Sequence, residues 1–175
     1  MQAGGVMKQM IGLILMCILT TTTWATEVVT TTNAAKPCSV MVFVSFSMPR
    51  QSLIAALRDA NKIKASVVMR GLVNNSFKET FQAIGNLVKE AGGGGIELNP
   101  LAFKRFQIET VPAVVVISPN HPCLTQPTCN RQQDFDVMSG NIPLAAALKE
   151  ISNRGLAAPH EAESALHRLQ AGDYV

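Results

Sequence analysis

The run Val40-Met41-Val42-Phe43-Val44 limits the fold of this chain more than any other segment. Apolar side chains occupy successive positions, without the alternation of a strand that has one wet face. Residues 39–45 therefore predict a strand covered on both faces. The run opens into Ser45-Phe46-Ser47-Met48-Pro49. Proline suits the first position of a helix, where its missing N–H costs nothing. Leu53, Leu57 and Ala60 then recur at helical spacing, and the helix should end near Asn61.

The same punctuation continues along the chain. Residues 65–70, closed by Gly71, predict a second strand. Ser76-Phe77-Lys78-Glu79 is a capping box, in which the serine hydroxyl and the glutamate side chain each take a free backbone N–H. Phe77, Phe81, Ile84 and Val88 share one face of the helix that follows, and the four glycines from Gly92 stop it. No Gly-Lys-Ser/Thr follows them, so the glycines mark a helix terminator and not a phosphate loop. Residues 96–98 suit a short strand, and Asn99-Pro100 caps a short helix carrying Leu101, Phe103 and Phe106. Val111-Pro112 introduces an apolar strand, residues 135–138 form a weaker one, and Ser139-Gly140-Asn141 turns into a helix bearing Leu144, Leu148 and Ile151. Strands alternating with helices, closed by a strand pair, predict an α/β fold with a mixed central sheet flanked by helices. Residues 155–175 read as a C-terminal tail in which Ala162, Leu166 and Leu169 suit one short amphipathic helix.

The N-terminus predicts export. Lys8 is the only charge before Glu27 and precedes an apolar stretch from Met10 to Leu19. Thr23-Trp24-Ala25 offers small residues at the positions a signal peptidase reads. The stretch is short for a membrane helix, which needs roughly 20 residues. Residues 1–25 are thus expected to be a signal peptide cleaved near Ala25, and the bulky Met16 before Cys17 argues against lipidation. Residues 26–37, rich in Thr and Ala, read as a flexible lead-in, and residues 38–154 as the folded domain. The expected location is the periplasm, with no integral membrane segment after cleavage. Without Lys8, fourteen basic side chains stand against twelve acidic ones. That near-neutral balance lacks the basic stripe that nucleic acid would require.

The side chains available for chemistry are few. The chain has no Cys-x-x-Cys. A serine nucleophile at Ser45 or Ser47 needs a histidine base in reach, and His121, in a loop beside Pro122, stands at the far end of its strand from Pro112. Those two serines more naturally satisfy backbone groups at the strand end and cap the helix. After export three cysteines remain, Cys38, Cys123 and Cys129, an odd number in an oxidising compartment. Cys123 and Cys129 can close a small hairpin loop. His121 with the cysteines lacks the spacing of a zinc site, and no motif calls for a cofactor.

Val111-Pro112 before a buried strand looks like the cis-proline site of thioredoxin-like domains, which in that fold faces the redox motif. Here serines, phenylalanine and methionine stand where the thiols would be. The blocks Phe43-Val44-Ser45-Phe46-Ser47-Met48-Pro49, Arg70-Gly71-Leu72-Val73-Asn74-Asn75 and Val111-Pro112-Ala113-Val114-Val115-Val116, with Ile96-Glu97-Leu98-Asn99-Pro100 and Phe103 between them, resemble the TrbC family of F-type conjugative pilus assembly proteins. The resemblance covers roughly residues 40–150. It implies a thioredoxin-like fold without the redox motif, serving a type IV secretion system in the bacterial periplasm. It also implies partners among other conjugative transfer proteins, with TraW-like and TraU-like proteins as candidates. In such a fold Cys38 lies near Cys123 too, so a bridge from Cys38 to either other cysteine stands beside the Cys123–Cys129 pairing. The implied partner surface is Ser45, Phe46, Ser47, Met48, Pro49, Arg70, Asn74, Asn75, Val111 and Pro112, converging at one end of the sheet. The competing function is a thiol-disulfide oxidoreductase or isomerase built on atypical cysteines. A third reading is a module that binds extended peptide beside the proline loop.

Overall fold

A computed structural model describes residues 39–119 and 129–172. The expected signal peptide and lead-in, with Cys38, His121 and Cys123, lie outside the described residues. Five strands form one sheet: β1 (Val40–Val44), β2 (Ser66–Met69), β3 (Ile96–Leu98), β4 (Ala113–Ile117) and β5 (Phe135–Ser139), in the order β3-β2-β1-β4-β5. β1 runs parallel to β2 and β2 to β3, whereas β4 is antiparallel to both β1 and β5. The helices are α1 (Arg50–Lys62), α2 (Phe77–Ala91), α3 (Pro100–Arg105), α4 (Leu144–Arg154) and α5 (Pro159–Ala171), with a 3-10 turn at Val73–Asn75 before α2. The fold is α/β, with a mixed sheet flanked by helices.

β1 is buried along its whole length, as its unbroken apolar run requires. Val40, Val42 and Val44 join a core shared with α1, α2, α4 and α5. Met41 and Phe43 point the other way, into a second core under α3. There Phe43 meets Phe103 edge-on at 4.9 Å between ring centres, and Phe106 meets Phe135 at 5.0 Å. These are the perpendicular geometries that aromatic quadrupoles favour. In the first core α5 packs on α4 with Ala162, Ala165 and Leu169 buried, so residues beyond 155 add a helix to the main body.

Local signals set several helix ends. Asn99 Oδ1 accepts from the Ala102 N–H at 2.9 Å with Pro100 in the first turn, an arrangement that satisfies an otherwise free donor. Ser76 Oγ accepts from the Glu79 N–H at 3.3 Å. The other half of the expected capping box is absent. The Ser76 N–H already donates to the Val73 carbonyl, and the Glu79 carboxylate instead accepts from Asn74 Nδ2 at 2.7 Å. Gly92 ends α2 in the left-handed region, at φ 85°, where a side chain would be strained.

The roll of α2 also departs from its sequence pattern. Thr80 is fully buried, donating to the Ser76 carbonyl at 2.7 Å and accepting from the Val73 N–H at 2.9 Å. Leu87 and Ala91 follow it inward, while Phe77 and Phe81 remain 64% and 62% exposed.

A buried carboxylate ties the last two helices to the sheet. Asp136 on β5 accepts from the backbone N–H groups of Leu156, Ala157 and Ala158 at 3.0, 2.9 and 2.8 Å. Gly155 fits closely beside it: an added Cβ would stand 2.5 Å from the Ile151 carbonyl oxygen and 2.6 Å from Asp136 Oδ2. Asp136→Ala should therefore destabilise the fold by roughly 3 kcal/mol, because several sheltered donors lose their acceptor. Gly155→Ala should also lower the urea midpoint, whereas Gly71→Ala, with no neighbour within 4 Å, should show only the backbone cost of its positive φ. Equilibrium urea unfolding of the three variants checks the ordering.

Candidate functional site

Strand direction decides which loops meet. Val44 pairs with Met69 and Phe43 with Ala113. The C-terminal ends of β1 and β2 thus share one edge of the sheet with the N-terminal end of β4. Leu98 pairs with Met69 and Ser139 with Ala113, which adds the exits of β3 and β5 to the same edge. Ser45 to Pro49, Arg70, Asn74-Asn75 and Val111-Pro112 all leave from this end, where sheet topology puts loops free to contact other molecules.

The first loop is closed by its own serines. Ser45 Oγ accepts from the Ser47 N–H at 3.3 Å and from the Ser47 hydroxyl at 3.1 Å, while the Met48 N–H donates to the Ser45 carbonyl at 3.1 Å. Neither serine caps α1. The residue ahead of α1 is Pro49 itself, at φ −53° and ψ 133°, whose carbonyl accepts the first helical hydrogen bond from Leu53. Pro49 therefore sits one position earlier than the sequence suggests. The extended ψ of Pro49 takes it out of the helix, and the serine turn uses the hydroxyls before they can reach the helix end.

The two large side chains of the loop separate. Met48 is buried in the core with α1 and β4, whereas Phe46 is half-buried against that core and keeps an open face. Ser47 and Pro49 are exposed. Asn74 and Asn75 are exposed with φ of 48° and 54°, a region that asparagine tolerates better than most residues. The Glu79 bond to Asn74 and the Thr80 bond to Val73 hold this turn in place. Arg70 lays its guanidinium 4.9 Å from the centre of the Phe103 ring, a contact in which the ring face attracts the cation.

Val111-Pro112 is cis, as the sequence suggests, and half-buried. The Pro112 carbonyl accepts from the Gly140 N–H at 2.9 Å, which docks the β5–α4 connection against the proline loop. Between that connection and α1 lies a groove of about 250 Å³, whose lining includes Met48, Ser52, Pro112, Met138 and Ile142. Sequence reading reached Met48 and Pro112 but not Ile142 or Met138. The available signal was the Ser139-Gly140-Asn141 turn, whose antiparallel partner strand begins at Pro112.

Among the described residues no three His, Cys, Asp or Glu side chains group as metal ligands, and no helix is long and apolar enough to cross a membrane. Cys129 is 4% exposed and disulfide-bonded. Both cysteines considered as its partner, Cys38 and Cys123, lie outside the described residues, as does the hairpin loop between residues 123 and 129.

The site is thus a loop cluster on a rigid α/β scaffold, with an apolar groove and no thiol in its first turn. Comparison with known proteins gives the class a family. A profile for the type-F conjugative transfer system pilin assembly protein matches residues 42–151, and the chain belongs to that family. It is similar to the periplasmic protein TrbC of Escherichia coli (strain K12), with 32% identity over 132 residues, 75% of this chain and 54% of the relative. The chain therefore spans about half the length of the curated relative it matches. No solved structure matches it.

The different burial of the two loop side chains has a measurable consequence. Met48→Ala should cost about 2–4 kcal/mol, since it empties a core position. Phe46→Ala should cost less than half as much, because part of its ring is already in water. Thermal unfolding of the two variants distinguishes the structural residue from the surface one.

Proposed function

We propose that this protein is a non-enzymatic periplasmic assembly factor of a conjugative pilus, acting in a type IV secretion system. It holds other transfer proteins against the loop end of a redox-inactive, thioredoxin-like domain. The observation that carries the reading is the turn from Ser45 to Pro49. Its hydroxyls are bonded to one another and to the local backbone, so they are set up to shape a loop and not to react. Family membership supplies the setting, and the relative's name gives the compartment. The thioredoxin-like description is supported by the central strand running into the Pro49 helix, with the antiparallel Pro112 strand beside it.

Thiol-disulfide exchange requires a thiolate that can reach a disulfide sulfur. Serine oxygen does not substitute for it, and Cys129 is already bonded and buried. Binding in this reading uses Phe46, the groove beside Pro112 and the polar turns at Arg70 and Asn74-Asn75. These give an apolar centre with a hydrogen-bonding rim, the usual division of labour at a protein interface. TraW-like and TraU-like proteins are the candidate partners.

Two measurements test the proposal. In an insulin disulfide-reduction assay the exported protein should turn over no faster than the thiol control, and turnover abolished by Cys38→Ser would overturn the non-enzymatic reading. Co-purification from donor-cell periplasm should recover transfer proteins with the wild type and lose them with Phe46→Ala combined with Ile142→Ser. Retention of every partner by that folded double variant would place the binding surface elsewhere.

A further inference from the structure

α2 carries a second surface, distinct from the loop cluster. Phe77, Phe81, Gly85 and Val88 follow one another at i, i+4, i+8 and i+11, which puts them on one face of the helix. Phe77 and Phe81 are exposed and stacked, with ring centres 6.5 Å apart and planes 25° from parallel. A stacked aromatic pair in water gives up much of the hydrophobic free energy that burial would supply. Gly85 is exposed in the middle of the helix, and an added Cβ there would meet nothing within 4 Å. The chain thus accepts the helix-weakening effect of glycine at a position where its own packing does not need it.

The charges of α2 are unevenly arranged. Both acids are engaged away from this face, Glu79 with Asn74 and Glu90 with Arg50. Lys78 and Lys89, also eleven residues apart, run along the Gly85 flank of the stripe, exposed and without an ion pair among the described residues. The face therefore offers an aromatic ridge, a gap with no side chain and two unneutralised cations.

We infer that this face docks an acidic amphipathic helix of a partner protein. That helix crosses α2 at Gly85, packs aliphatic side chains against Phe77 and Phe81, and sets carboxylates against Lys78 and Lys89. A helix fits because a side-chain-free position lets two helix backbones approach, and helix-on-helix recognition reads anchors at this spacing. An acidic partner fits because the free charges on the face are positive.

The test uses the full exported chain and two synthetic helical peptides. One carries leucines at i, i+3, i+4 and i+7 flanked by glutamates; the other has every glutamate replaced by lysine. The glutamate peptide should bind and shift the backbone amide resonances of α2, more weakly as salt is raised, and the lysine peptide should not. Phe81→Ser and Gly85→Leu should each weaken binding roughly tenfold or more. Gly85→Ala should raise the melting temperature, and Phe46→Ala should bind as the wild type does, which separates this surface from the loop-end reading. Equal binding of the two peptides, no binding of the glutamate peptide, or unchanged binding by folded Phe81→Ser and Gly85→Leu variants would overturn the inference. So would a wild-type dimer in sedimentation that Phe81→Ser makes monomeric, since the face would then be covered by a second copy.

Discussion

The convergence of loops at one end of the sheet depends on β1 being buried on both faces while paired in opposite senses along its two edges. Double burial fixes its register, because a shift of one residue would exchange Val42 with Phe43 between two cores of different size and shape. The valines fit beneath four helices, and the Phe43 ring fills the aromatic cluster with Phe103 and Phe106. With register fixed, the parallel pairing to β2 and the antiparallel pairing to β4 bring Ser45, Arg70 and Pro112 to one end of the sheet. The loop cluster is a consequence of core packing.

The loops themselves are held by local contacts, separate from the packing that fixes the scaffold. The turn after β1 is held by short-range bonds among Ser45, Ser47 and Met48, and the Pro112 carbonyl is held by Gly140. Neither contact requires a thiol. Met48 anchors the turn from below, so the exposed residues above it contribute little to the core.

Elements governed by local chemistry were legible in the sequence. The unbroken run of β1, the Asn99-Pro100 cap, the Gly92 stop and the strand introduced by Pro112 each report a constraint within a few residues. What was not legible depended on distant groups. The expected Ser76–Glu79 box is half-formed because a 3-10 turn supplies the Ser76 N–H with a closer acceptor. Met48 and Phe46 are both large and apolar, and only the packing of α1 on the sheet puts one inside and leaves the other half-open. Asp136 reads as an ordinary polar position on a weak strand. Its role as acceptor for three backbone groups twenty or more residues away has no sequence signature, because carboxylates inside strands are usually solvated.

α2 shows most clearly how a polar bond can overrule an apolar pattern. By spacing alone, Phe77 and Phe81 should turn inward with Val88, which does pack against the first core. Thr80 turns inward instead, its hydroxyl donating to the Ser76 carbonyl and accepting from the Val73 N–H, so the side of α2 that meets the core carries Thr80, Leu87 and Ala91. The same bridge holds the turn that presents Asn74 and Asn75. One buried hydroxyl therefore couples the two exposed surfaces: it shapes a loop at the sheet end and, by setting the roll of the helix, keeps the phenylalanines outside. A substitution at Thr80 would disturb both surfaces together, whereas Phe46 and Phe81 can be changed separately. That is why substitutions at the surface residues, and not at the residue that positions them, separate the two proposed faces.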